Sequence, residues 1–203
     1  KDITVEDLMK KEGFESVFIG TGAEVPTTMN IPGEDLKGVY TANDYLTAVN
    51  IGKAYLPENS GLLPQADRVA IIGGGNVAMD ACRCAARMNA KEVTVIYRRS
   101  REEMPACDAE IHEAMAENID FRFLTNPVAV KAGADGKVAA LECVQMQLGE
   151  PDASGRRRPV AVEGSNFEIP VDAVIMAIGT KMDSIVTSTT ENLATDKYGC
   201  ITT

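Results

Sequence analysis

The feature that most limits what this chain can fold into is residues 69–100, VAIIGGGNVAMDACRCAARMNAKEVTVIYRRS. After its first residue, Arg68–Ile72 is apolar throughout, as expected of a strand buried on both faces of a parallel sheet. Gly73, Gly74 and Gly75 follow at once, then Asn76, Val77 and Ala78, which completes G-x-G-x-x-A. Such a pattern is informative when it lies between a strand and a helix. Gly73 permits a tight turn, Gly75 lets the backbone approach a pyrophosphate, and the small Ala78 lets the helix pack close to the strand. The first N–H groups of the helix then face the phosphates with the positive end of its dipole. A glycine turn that holds no ligand is the alternative.

The surrounding pattern extends this unit. Residues 77–88 predict a helix with Ala78, Ala81, Ala85 and Met88 on one stripe. Residues 92–97 predict a second strand. Pro105 suits a helix start, with Ile111, Ala114 and Met115 facing inward, and residues 120–124 predict a third strand. This β-α-β-α-β order demands a parallel sheet with right-handed crossovers. After Asn126-Pro127 the period becomes strand-like, with a hairpin signal at Asp135-Gly136. A polar turn, GEPDASGRRRPV, leads to more strand up to Ile169, and DAVIMAIG is a last apolar strand ending at Gly179. The expected fold is α/β: a Rossmann-type parallel sheet with helices on both faces and an inserted antiparallel β-meander.

Ahead of that unit, Thr4 and Asp7 form a capping-box pair for a first helix that Gly13 would close. Residues 16–19 read as a short apolar strand, and IPGEDLKGVY is turn-rich. Thr41 is placed to cap a helix over residues 42–50.

The end of the second strand bears on nucleotide choice. An NAD site would carry an acid about twenty residues past the glycines, to bind the ribose 2′-hydroxyl. This chain offers Tyr97, Arg98, Arg99 and then Arg101. A carboxylate would repel a 2′-phosphate, whereas a guanidinium binds it with paired, charge-assisted bonds. The residues therefore favour NADP(H). The alternative is a solvated basic cluster balanced by Glu102 and Glu103. Arg156, Arg157 and Arg158 fall in the predicted polar turn and read as solvated surface. His112, the single histidine, reads as a surface or packing residue.

A net charge of −10 argues against nucleic acid or an anionic membrane as partner. No apolar run approaches the ~20 residues of a membrane-spanning helix. Five cysteines without a disulfide framework suit a reducing cytoplasm. Cys82 and Cys84, two apart on a predicted helix, point to different sides, which suits packed thiols better than a shared metal.

GGGNVAMD and YRRSREEMPA, joined by FIGTGAEVPTTMNIPGEDLKGVYTANDYL, LGEPDASGRRRPV and VDAVIMAIGT, resemble the NADPH-dependent small subunit of glutamate synthase and its relatives. These include the NADPH-side subunit of ferredoxin:NADP transhydrogenases. The resemblance implies an NADPH domain inserted between two halves of an FAD domain, with hydride passing to FAD and electrons onward through iron–sulfur clusters. It implies that Gly73, Gly74, Gly75, Asn76 and Val77 hold the pyrophosphate, and that Arg98, Arg99 and Arg101 hold the 2′-phosphate. Ala177, Ile178 and Gly179 would lie on the nicotinamide side, and residues 20–22 where the chain crosses from the flavin domain. On this basis residues 1–63 are a flanking segment related to the FAD domain, 64–180 the NADP(H) domain and 181–203 a return segment. FAD and iron–sulfur clusters are expected in a longer parent protein and not in this stretch. Partners would be the flavin and cluster portions, and a glutamate-forming large subunit. A non-enzymatic NADP-responsive module is the competing class. No residue is assigned an acid–base role, because a hydride donor held against its acceptor gains mainly from positioning.

Overall fold

The structure, a computed structural model, describes residues 3–153 and 155–202; Ser154, in the predicted polar turn, lies outside the described residues, as do Lys1, Asp2 and Thr203. In chain order the elements are α1 (Val5–Lys10), β1 (Val25–Pro26), β2 (Val39–Thr41), α2 (Ala42–Asn50), β3 (Arg68–Ile72), α3 (Asn76–Arg87), β4 (Glu92–Ile96), α4 (Asp108–Ala116) and β5 (Asp120–Arg122). There follow β6 (Thr125–Ala132), β7 (Val138–Pro151), β8 (Arg157–Ala161), β9 (Phe167–Pro170), β10 (Ala173–Met176), β11 (Thr180–Lys181) and α5 (Ile185–Thr189). Contacts divide the chain into two units, Thr28–Ile178 and a smaller one of Lys1–Thr27 with Gly179–Thr203.

The larger unit is built on a five-stranded sheet in the order β2-β10-β3-β4-β5, parallel at every pairing. The paths from β2 to β3, β3 to β4 and β4 to β5 all advance in one direction across it. Right-handed crossovers therefore place α2, α3 and α4 on the same face. There Tyr45, Met79, Cys82 and Ile111 pack with Val69, Ile71, Val95 and Ile175 in one buried cluster. The return from β5 to β10 runs the other way and covers the opposite face. This is done by the antiparallel sheet, β6-β7-β8 with β9 also on β7, whose Leu141, Cys143 and Ile169 bury Ala70, Ile72, Ile96 and Val174. The expected meander is present; helices on both faces are not. Each fully buried Ile or Leu in these clusters contributes about 1.5–3 kcal/mol relative to exposure.

Arg68 closes the amino-terminal edge of the sheet. Its Nη2 and Nε donate to the two carboxylate oxygens of Asp172, at 2.6 and 3.2 Å. Their main chains also bond, Asp172 N–H to Arg68 O at 2.8 Å.

Other expectations shift for local reasons. The helix expected at Pro105 begins at Asp108, because a Ser100–Glu103 capping box first winds a 3₁₀ turn over Arg101–Glu103. Met104 is then extended, as the residue before a proline prefers. The buried stripe of α4 is narrow, Ile111 and Ala114, and leaves Met115 exposed. Strand β5 stops at Arg122, and Leu124 turns the chain with φ +50°. Arg157 and Arg158 lie in β8 and not in the turn. The turn-rich run before Tyr40 ends in β2, which had not been read as a strand.

In the smaller unit the Thr4–Asp7 capping box opens α1, and β1 pairs antiparallel with β11, Val25 opposite Lys181. Residues 16–19 are not a strand: no ladder partner flanks them among the described residues, and Phe18 is 95% exposed. An apolar run without a partner for its backbone groups has nothing to hold it extended. Among the described residues no helix is long and apolar enough to cross a membrane.

Candidate functional site

The glycine turn sits at the carboxyl ends of β3 and β10, the edge where open α/β sheets place their ligands. Its three glycines face different surroundings. Gly73 has φ +142°, and a Cβ there would lie 2.2 Å from the carbonyl oxygen of Ala177. Strand ends are that close because Ala177 N–H donates to Ile72 O at 2.8 Å and Gly73 N–H to Ile96 O at 3.0 Å. At Gly74 a Cβ would meet the Tyr97 ring at 2.7 Å. At Gly75 it would meet nothing within 4 Å.

Gly75 is also the N-cap of α3, with no side-chain cap and no acid in the first turn. The opening N–H groups of a helix have no intrahelical acceptor. Here they border the open space at Gly75, flanked by exposed Asn76 and half-exposed Val77, while Ala78 is fully buried beneath them. This is the arrangement an anion needs: donors, a favourable dipole and room for backbone approach. Asn76 has a second task. Its Oδ1 accepts from Cys107 N–H at 2.9 Å, which ties the turn to the N-cap of α4.

The arginines divide sharply. Arg98 is exposed and has no hydrogen bond or ion pair within the described residues. Arg99 is only 6% exposed. Its Nε donates to Arg157 O at 2.8 Å and its Nη2 to Asp152 Oδ2 at 2.9 Å. Arg101 is paired with Asp108 at 2.7 Å. Glu103 is buried and does not balance these arginines. Its carboxylate accepts from the Ser100 N–H and hydroxyl and from Arg157 Nε, the last at 2.6 Å. Those donors, Ser100 first and then Arg157, hold its carboxyl below the usual glutamate range. Tyr97 is buried beneath the glycine turn, its hydroxyl donating to Glu103 O at 2.8 Å.

The structure thus brings Gly73, Gly74, Gly75, Asn76, Val77, Ala177 and the loop bearing Arg98 to one sheet edge. Ile178 follows, partly buried, and Gly179 belongs to the smaller unit. Asp152 escaped the sequence reading, which named Tyr97 and Glu103 but not the contacts they make. The acidic GEPDASG run was the available signal for Asp152, but nothing local indicates which arginine it meets. A cleft of about 840 Å³ opens between residues 121–125 and 164–167, and none of its lining residues belongs to the glycine turn. No group of three or more metal-ligating side chains occurs among the described residues, and Cys82 is fully buried, as expected of a packed thiol.

The whole chain, residues 1–203, matches the pyridine nucleotide-disulphide oxidoreductase family. The chain belongs to it. Over 184 residues it is 43% identical to the NADP(+)-dependent formate dehydrogenase subunit beta of Moorella thermoacetica, covering 90% of this chain and 25% of that one. It is 34% identical over 204 residues to the glutamate synthase [NADPH] small chain of Escherichia coli (strain K12), covering 99% and 43% respectively. The chain therefore spans less than half the length of these relatives, among which the resemblance to the glutamate synthase small-subunit group is upheld. Mycobacterium tuberculosis FprA, solved in complex with NADPH, shares the fold with a TM-score of 0.63 at 21% identity, over 79% of this chain and 49% of that one. Lactococcus lactis thioredoxin reductase does so with a TM-score of 0.63 at 22% identity, over 89% and 49%.

Proposed function

We propose that this oxidoreductase-family chain binds NADPH at the carboxyl edge of its parallel sheet and positions it for hydride transfer to FAD within a longer protein. The observation that carries the reading is the uncapped start of α3 at Gly75 with an exposed, unengaged Arg98 at the end of β4, where no acid stands. In this reading the N–H groups at Gly75, Asn76 and Val77 receive the pyrophosphate. Arg98 meets the 2′-phosphate, with Arg101 as a second cation. Arg101 would have to exchange Asp108 for the phosphate. Ala177 and Ile178, beside Gly73, border the path toward the nicotinamide, and Gly179 follows them.

NADPH supplies the hydride. What this chain supplies is orientation and selectivity, which need no acid or base. The flavin, iron–sulfur clusters and partner portions are proposed on the resemblance to the glutamate synthase small subunit, where they carry the electrons onward.

Calorimetric titration of NADPH and NADH into the chain and its Arg98→Ala variant tests the reading. A hydrogen bond to a charged group contributes about 1.5–3 kcal/mol, and solvent exposure favours the lower end. At about 1.4 kcal/mol per tenfold, NADPH affinity should fall about tenfold while NADH stays unchanged. Equal losses for both nucleotides, or a parent chain that prefers NADH, would sink it.

A further inference from the structure

The β7–β8 hairpin reaches back to the loop after β4 across 53 and 54 residues of sequence. The link is reciprocal. Arg99 donates into the hairpin, to Asp152 Oδ2 and Arg157 O, and Arg157 donates out of it, to Glu103 Oε1. Glu103 in turn accepts from the Ser100 N–H, which returns the circuit to the residue after Arg99. The Arg99 and Glu103 side chains are each 7% exposed. A buried charge is tolerated only when paired, so turning Arg99 outward would strand its guanidinium or leave Asp152 and Arg157 O with lost donors. The backbone of residues 98–103 is therefore held from both ends. Arg98, next to the locked Arg99, is the guanidinium left facing solvent.

We propose that Asp152 and Arg99 are positioning residues for coenzyme choice: the hairpin locks Arg99 inward, and that lock presents Arg98 to the 2′-phosphate. This rests on the NADPH reading above. It gives Arg99 an indirect part in selectivity and recruits the β7–β8 hairpin to it.

The test is titration of NADPH and NADH into the 203-residue chain and its Asp152→Ala, Asp152→Asn and Arg98→Ala variants, each checked by thermal melt. Asparagine keeps an oxygen acceptor for Arg99 Nη2, and alanine keeps none. Positioning predicts about a tenfold loss of NADPH affinity in Asp152→Ala, NADH within about twofold, and Asp152→Asn within about threefold of the parent for NADPH. Asp152 acting through its charge alone would make both variants bind NADPH more tightly and alike, which overturns the proposal. Unchanged NADPH affinity in a folded Asp152→Ala also overturns it. Should Asp152→Ala fail to fold, Glu103→Gln decides. A selective NADPH loss of about threefold or more supports the lock, and none removes it. Arg98→Ala separates the two levels. No effect there removes the NADPH reading itself, whereas an effect there with none at Asp152 removes only the hairpin's part.

Discussion

Alanine substitutions at two glycines of the same turn, Gly73 and Gly75, should fail in opposite ways. Gly73→Ala forces a side chain onto φ +142° and puts its Cβ 2.2 Å from the Ala177 carbonyl oxygen, a backbone atom that cannot rotate aside. The disallowed backbone costs about 1–3 kcal/mol, and overpacking about 1–3 kcal/mol more. Parting the strand ends to relieve the clash gives up the Ala177 N–H to Ile72 O bond, worth about 1 kcal/mol. A total of about 3–7 kcal/mol is a large part of the roughly 5–15 kcal/mol that holds a typical domain together. Gly75→Ala has an ordinary φ of −93° and open space around the new Cβ. It should cost at most about 1 kcal/mol, as glycine and alanine differ at an N-cap. In the proposed reading the same methyl stands where the pyrophosphate meets the backbone, so NADPH and NADH should both weaken about tenfold or more. Urea unfolding at constant m measures the first effect, and titration with both nucleotides the second. Gly73→Ala within about 1 kcal/mol of the parent would refute the close approach of β3 and β10. Undiminished binding of both nucleotides by Gly75→Ala would refute the cradle.

Thiol labelling should separate the cysteines: Cys107 and Cys200 are exposed, whereas burial pushes the Cys82 and Cys143 thiols up to about 12 and raises Cys84 as well. An aromatic disulfide reagent at pH 8 should therefore modify two of the five thiols quickly and the rest only after denaturation; rapid modification of Cys82 would contradict its packing. Asp172 is held below its ordinary 3.8 by hydrogen bonds from Arg68. Its folded value being the lower one, its contribution is complete above the unfolded value and fades as pH falls through the folded one. Asp172→Asn should accordingly show a flatter loss of melting temperature from pH 5 to pH 3 than the parent, and parallel curves would count against the pair. Between α3 and α4, Glu117 receives both Arg83 and Arg87 at 2.8 and 2.7 Å. Glu117→Gln should lower stability by under about 1 kcal/mol at low salt, with the difference shrinking at 1 M salt.

What the sequence made legible were the elements whose cause is local. Strand β3 and helix α2 fall on the residues that an apolar run and the Thr41 cap mark out, and the Asp135-Gly136 hairpin turns where its dipeptide says. What stayed hidden depends on partners distant in the chain. Val39 and Tyr40 looked like turn because a three-residue strand is defined by its ladder to β10, and residues 16–19 looked like strand although no ladder awaits them among the described residues. The second face was misread for the same reason. Right-handedness fixes where each crossover goes only once the strand order is known, and the position of β10 between β2 and β3 is written nowhere in the local pattern. The arginines repeat the lesson at the site. Arg98 and Arg99 are identical letters at a strand end, yet one faces solvent and the other is buried, and the difference is made by Asp152 and the Arg157 carbonyl. A sequence reading can count the cations available to a phosphate. Which of them is free to meet it is decided by the hairpin that claims the other.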